Sequence, residues 1–300
     1  MTDIDTTAPP RPPGPSLARR IVAFPLTLML IALVMVLLAS GLANLLSDQI
    51  PRKAGSPLLL VHAAIFITFL LAAYWLFCRF VERAPMRVFA RQGWARETLA
   101  GLAAGALIFS TVVGIVTALG GYRAAGWGEL ATVWTAINLS LMSGFAEELL
   151  FRGILFRYIE RTGGSWAALL ITSAMFGAAH LANPNAGLIP AAAIAVEAGL
   201  LLGAVYMLTQ RLWAAIGLHA AWNFTQGWIF GLPVSGGAGG DGMVRGQLAG
   251  PEWLTGGAFG LEASLPGVLV AASAGVAILV LAVRKGRVMA PIWSAAQRKE

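Results

Sequence analysis

The chain has 300 residues, 58% of them hydrophobic and only 12% charged, with a formal net charge of +7. A soluble domain is about 45–50% apolar and about 25% charged, so this composition excludes one and predicts an all-α, polytopic membrane protein with about eight transmembrane helices. The basic residues flank apolar runs, which points to membrane topology and excludes nucleic-acid binding; the single cysteine, Cys78, excludes an intrachain disulfide and a cysteine metal cage.

Residues 1–20 carry the run Pro9-Pro10-Arg11-Pro12-Pro13-Gly14-Pro15 and read as a disordered cytoplasmic tail. The remainder, 21–300, reads as one helical membrane domain. About 20 apolar residues cross a bilayer. That ruler predicts spans at 21–46, 57–80, 98–120, 131–156, 166–182, 188–209, 212–230 and 265–283. The first run is too long for the core of a cleaved signal peptide.

Of the 21 Lys and Arg, Arg152 lies inside a span, and only Arg52, Lys53, Arg123 and Arg245 fall on one side of this arrangement. The rest fall on the other. Positive charge favours the cytoplasmic side, so both termini are predicted to be cytoplasmic in a multi-pass protein of the inner or cell membrane. The cationic segment from Val81 to Glu97, with Met86, Phe89 and Trp94 interleaved, reads either as an interfacial helix or as a basic loop that fixes topology. Cys78 reads as a small apolar residue near the end of a span. The glycine-rich non-cytoplasmic loop 231–264 has the composition of a disordered segment.

Chemistry concentrates between about 130 and 230. Glu147 and Glu148 are adjacent inside a predicted span, with Arg152 close behind. An ionised side chain at bilayer depth costs at least about 2.5–3.5 kcal/mol, so such groups are functional by default. Glu148 and Arg152 have the i, i+4 spacing that lets them pair. Glu147 is turned by about 100° around the helix axis and cannot share the arginine equally. It is therefore the candidate working base, and Glu148 the structural acid. The bland alternative is a buried ion pair that pins helix packing.

Two of the three histidines lie on later spans: Phe176 and His180 at i, i+4, then His219 and Asn223 at i, i+4. Small residues separate each pair, which lets other helices approach closely. His62 has no polar neighbour nearby in sequence and reads as a packing residue. Glu197 needs a partner that the sequence does not name. A carboxylate base, imidazoles and an amide donor are what amide hydrolysis requires. No Gly-x-Ser-x-Gly elbow is present, and Ser143 has no evident base, so a serine nucleophile is not supported.

Glu-Glu-x-x-x-Arg, Phe-x-x-x-His and His-x-x-x-Asn, in that order on successive apolar segments, resemble the CAAX protease and bacteriocin-processing (Abi) family of intramembrane proteases, which includes the Ras-converting CAAX prenyl endopeptidase. The resemblance covers roughly 130–230 with every motif position intact. It implies an eight-helix intramembrane endopeptidase. Glu147 would activate water with help from His180, His219 and Asn223 would form the oxyanion hole, Arg152 would hold Glu148, and Phe176 would contact the substrate. In the family's metalloprotease description, Glu147, His180 and His219 would instead ligate zinc. Two histidines and a carboxylate suit catalytic zinc, but the spacing is not the compact His-Glu-x-x-His of one helix, which favours catalysis without a metal cofactor. The implied partners are the lipid bilayer and a membrane-associated peptide or protein, of CAAX or bacteriocin type. A proton-coupled transporter and a catalytically silent immunity or scaffold protein are the competing readings.

Overall fold

The computed structural model describes residues 16–51, 53–239 and 242–294. The tail expected over 1–20 lies largely outside the described residues; within them, α1 (Leu17–Val22) is a short helix. Pro25 opens α2 (Pro25–Ser47) in the first turn, where its missing N–H leaves no bond unmade. His62, on α3 (Leu59–Leu76), places Nε2 3.1 Å from the Ser47 carbonyl and 3.2 Å from that of Ile50. It therefore ties down the end of α2, the packing role expected of it. A π-helical turn, Phe77–Glu82, extends α3 and carries Cys78, which is buried.

No interfacial helix forms between Val81 and Glu97. The segment is a loop with one 3-10 turn, Arg87–Phe89, before α4 (Trp94–Ala118) begins. Val88 and Phe89 are buried: Phe89 stacks on Phe145 at 5.5 Å and meets Trp213 edge-on at 5.3 Å, while Trp94 stays exposed. The Val88 carbonyl accepts from Leu212 N. Burial of those two side chains outweighs the membrane-surface arrangement.

Six helical runs among the described residues are long and apolar enough to cross a membrane: Pro25–Ser47, Leu59–Glu82, Trp94–Ala118, Leu130–Ala182, Leu188–Thr209 and Leu265–Arg284. The all-α, polytopic reading therefore holds, but length and composition single out six runs rather than eight. The fourth run contains α5 (Val133–Glu148), a π-helical stretch (Leu149–Phe156) and α6 (Arg157–Ala179), and it is not straight. Gly164 has φ 79° and ψ 171°, which only glycine adopts readily. Phe151 and Phe176 lie on opposite sides of it with ring centroids 4.8 Å apart. A continuous helix rising about 1.5 Å per residue would separate them by tens of ångströms. The run is a hairpin bent at Gly164.

The bend is held by the chain's C-terminal segment. Ser165 N donates to the Met289 carbonyl, Met289 N donates back to Ser165 Oγ at 2.8 Å, and Ile292 N donates to the Thr162 carbonyl. A Cβ on Gly164 would sit 2.8 Å from the Met289 oxygen. The first arm thus continues to Gly163, seven residues beyond the boundary expected at 156.

The next run is α7 (Leu188–Ile194), a π-helical turn (Ala195–Gly199) and α8 (Leu200–Thr209). α9 (Trp213–Phe224) follows, with a π-helical extension Thr225–Ile229. α9 is clamped by glycines. A Cβ on Gly101 would lie 2.2 Å from the Ala214 oxygen, and one on Gly105 would lie 2.2 Å from the Leu218 oxygen. On its other side Gly144 faces the Ala220 backbone. Small residues let the backbones touch, the usual basis of helix association in lipid.

The described residues of the glycine-rich stretch 231–264 are folded, against the expectation of disorder. β2 (Val244–Leu248) pairs antiparallel with β1 (Tyr122–Trp127), with Tyr122 opposite Leu248 and a register shift between Ala124 and Trp127. α10 (Glu252–Thr255) and a 3-10 turn (Leu261–Ala263) lead into α11 (Leu265–Arg284). Asn183 and Asn185 donate to the carbonyls of Ser235 and Gly236 at 3.0 Å each. Glycine is needed here because backbone meets backbone. At Gly236, with φ +82°, a Cβ would lie 1.8 Å from the Pro184 oxygen.

Candidate functional site

The bend at Gly164 sets the depth of the site. Arg152 lies twelve residues before it and Phe176 twelve after, so the two arms bring them level. The Arg152 guanidinium carbon stands 4.6 Å from the Phe176 ring centroid, a cation–π contact. By the same count Glu148 and His180 are level, sixteen residues on either side. With the boundaries expected from sequence, His180 would lie too deep; the longer first arm removes the discrepancy.

Glu148 is the hub. It is completely buried, and its Oε1 accepts from Arg152 Nη1 at 2.8 Å and lies 3.0 Å from His219 Nδ1. The i, i+4 pairing expected from sequence is therefore formed, with both partners sealed from solvent. Arg152 also donates through Nη2 to the carbonyls of Ala198 at 3.0 Å and Gly199 at 3.4 Å. Those carbonyls belong to the π-helical turn Ala195–Gly199, whose widened ladder leaves acceptors free for an outside donor. One arginine thus joins three segments: its own, that of Glu148 and the Glu197-bearing turn.

His219 sits between the two glutamates. A carboxylate only accepts, so Nδ1 is the protonated nitrogen facing Glu148, and Nε2 is turned towards Glu147 Oε2 at 3.9 Å. Glu147 differs from its neighbour in having no arginine bound to it, and it is the more exposed of the two. Its side chain is 29% exposed, and its Oε2 has no hydrogen-bond partner. No cation claims it at bonding distance among the described residues.

His180 follows the same tautomer logic. Its Nδ1 donates to the Phe176 carbonyl at 2.8 Å, which leaves the lone pair on Nε2. The Phe176 ring packs against both imidazoles, with centroids 4.8 Å from His180 and 6.1 Å from His219. Asn223 donates to Ser143 Oγ at 3.0 Å, which leaves a second amide N–H. His180, His219 and Asn223 open on one narrow cavity of about 30 Å³, with Phe176 in its wall. That is room for one or two waters. Glu147 is not part of this wall and reaches it through His219.

The same cavity is lined by three residues that the sequence left without a role: Glu197, and Ser235 and Glu262 from the glycine-rich stretch. Nothing local marked Glu262, an isolated carboxylate in a segment read as disordered.

The zinc set is not assembled. Among the described residues no group of three or more His, Cys, Asp or Glu is placed to hold a metal ion. Both Nδ1 atoms are committed, which leaves each Nε2 free, and His219 Nε2 lies 3.9 Å from Glu147 Oε2.

Residues 129–225 match the family model described as type II CAAX prenyl endopeptidase Rce1-like. The matched region begins just before α5, ends just after α9, and holds all three motifs. No curated protein and no solved structure matches the chain.

Proposed function

We propose that this chain, which over residues 129–225 belongs to the CAAX protease and bacteriocin-processing family, is an intramembrane endopeptidase that hydrolyses a peptide bond of a membrane-associated peptide or protein. The observation that carries the reading is the His219 side chain held between two unlike carboxylates, one locked and one free.

In this mechanism Glu148 and Arg152 do no chemistry on the substrate and are positioning residues. Their ion pair, braced on the Ala198 and Gly199 carbonyls, fixes the His219 ring through Nδ1. Glu147 is the general base. Its uncommitted Oε2 takes a proton from a water lying between it and the cavity, and the resulting hydroxide attacks the scissile carbonyl. His180, with its lone pair on Nε2, assists that proton transfer. The negative charge that develops on the carbonyl oxygen is met by the second N–H of Asn223 and, when His219 carries both protons, by its Nε2–H. The proton taken by Glu147 is returned to the departing amine, so the residue ends as it began. Phe176 packs against both imidazoles and forms part of the substrate wall.

The charge bias of the connecting segments supports an orientation with both termini cytoplasmic. The experiment is cleavage of quenched fluorescent peptides, lipidated and unlipidated, by protein purified in detergent. Wild type cleaves and Glu147→Gln does not, while chelator leaves the wild-type rate unchanged. Unchanged cleavage by Glu147→Gln would refute the assignment of the base.

A further inference from the structure

The start of α2 and the π-helical turn that ends α3 meet at a groove of about 940 Å³, far from the motif residues. Pro25–Ser47 and Leu59–Glu82 are both long and apolar enough to cross a membrane, and the groove lies at their ends. It therefore opens at one face of the bilayer. Its lining is mixed. Val22, Leu28 and Phe80 are apolar, whereas Glu82, Arg83 and Arg161 are charged. A second recess of about 560 Å³ shares Phe80 and Arg83 with the first and adds Arg79.

Charge does not balance here. Glu82 is the one carboxylate lining either recess, and Arg157 and Arg161 already hold it at 2.8 Å each. Among the described residues, the Arg83 side chain has no carboxylate or hydrogen-bond partner. Arg79 rests on the Phe80 ring, its guanidinium carbon 5.5 Å from the centroid, and has no carboxylate of its own among them. The two arginines are exposed and four residues apart, a spacing at which like charges destabilise a helix. Arg83 also caps the turn with φ 57°, in the left-handed region where glycine is the usual residue. A charge that merely fixes topology needs neither a recess nor an apolar lining. Both features suit an anion that carries an apolar tail.

We propose that the groove binds an anionic phospholipid, with its phosphate held by Arg79 and Arg83 and an acyl chain lying along Phe80, Val22 and Leu28. Guanidinium groups bond phosphate oxygens in pairs, and bound phosphate relieves the repulsion between the two arginines. A zwitterionic headgroup would bring an ammonium beside them and is disfavoured. The cytoplasmic leaflet, to which the charge bias assigns this face, has the anionic surface. The site is separate from the cavity of His180 and Asn223 and stands whether or not the chain is a peptidase.

Trp75 provides the readout, being 50% exposed and edge-on to Phe80 with ring centroids 6.2 Å apart. The protein is reconstituted in phosphatidylcholine vesicles with brominated chains, which quench nearby tryptophan, placed on phosphatidylglycerol or on phosphatidylcholine at equal mole fraction. Subtracting the signal of Trp75→Phe isolates this one tryptophan. Wild type is expected to prefer the anionic lipid at least about fivefold, the effect of one arginine beside an anionic lipid surface. Arg79→Gln and Arg83→Gln each lose most of that preference and keep their quenching by brominated phosphatidylcholine, which shows that they are inserted and folded. Arg87→Gln, exposed in the same loop but outside both recesses, keeps the preference. Equal quenching of wild type by the two lipids overturns the proposal. So does a loss in Arg87→Gln as large as in Arg83→Gln, which would mean a diffuse positive field without a site. Inorganic phosphate at constant ionic strength is expected to leave the preference intact; its abolition would assign the arginines to a free anion and overturn the lipid.

Discussion

His219 and Glu148 are 71 residues apart in the chain and meet through Nδ1 and Oε1 at 3.0 Å inside the helical bundle. The contact joins the first and third sequence motifs, and Arg152 fixes the carboxylate from the other side. The ion pair is therefore structural support for an imidazole.

Arg152→Ala leaves the Glu148 carboxylate buried with no cation. Breaking a buried pair from one side costs about 3–5 kcal/mol, and the Ala198 and Gly199 carbonyls lose their donor as well. Thermal unfolding in detergent is expected to show a large loss of stability together with loss of hydrolysis. Arg152→Lys recovers only part of either, because a single ammonium cannot reproduce the fork that spans Glu148 and the two carbonyls.

Glu147→Gln separates chemistry from folding. The Oε2 of Glu147 makes no hydrogen bond, so the substitution removes a base without breaking a bond. Hydrolysis is expected to fall to background while the unfolding midpoint stays close to wild type. A midpoint that collapses would place Glu147 in the structural role assigned to Glu148.

Gly105→Val tests the clamp on α9. Even the first added carbon would lie 2.2 Å from the Leu218 oxygen, so the helix bearing His219 must move away. The expected cost is about 1–3 kcal/mol, the range of overpacked interiors, with a fall in hydrolysis beyond the loss of folded protein. Gly114→Ala, on the same helix with nothing within 4 Å, is the control. It is expected to leave stability unchanged or slightly raised. Melting curves and specific activity of the two variants check the contrast.

Glu262 makes the glycine-rich stretch sensitive to pH. Burial raises its carboxyl above the usual value despite the donors from Ser235. The folded state then binds the proton more tightly than the unfolded state. The stabilisation is complete below the unfolded carboxylate value and is lost as pH rises through the raised one. Amide exchange in the segment around Ser235 and Glu262 is expected to quicken, after correction for intrinsic rates, as pH rises above the usual carboxylate range and through the raised value. Glu262→Gln, neutral throughout, is expected to flatten that dependence.

The sequence exposes contacts that depend on local spacing. Glu148 with Arg152 and Phe176 with His180 are one helical turn apart, and each meets as the periodicity predicts. The meeting of Glu148 with His219 depends on how α5 and α9 pack, through Gly144 against Ala220, and no local pattern carries it. Gly163-Gly164 falls between the spans 131–156 and 166–182, because apolar length alone does not reveal that a polar stretch, 157–163, continues the helix. The glycine-rich stretch misled for a related reason. Composition counts glycines as freedom, whereas Gly236 is required where two backbones touch. With that stretch misread, Glu262 had no reason to be noticed.

The bend at Gly164 also works as a length gauge. The Arg152–Phe176 contact depends on two arms of equal residue count, and the C-terminal segment at Met289 fixes where counting starts. One residue inserted between Ser165 and Phe176 would swing the aromatic ring by about 100° and advance it by about 1.5 Å. His180 would turn with it, away from the cavity it shares with His219. The arms can therefore exchange side chains more readily than they can change length: insertions and deletions in either arm are the changes the site cannot absorb.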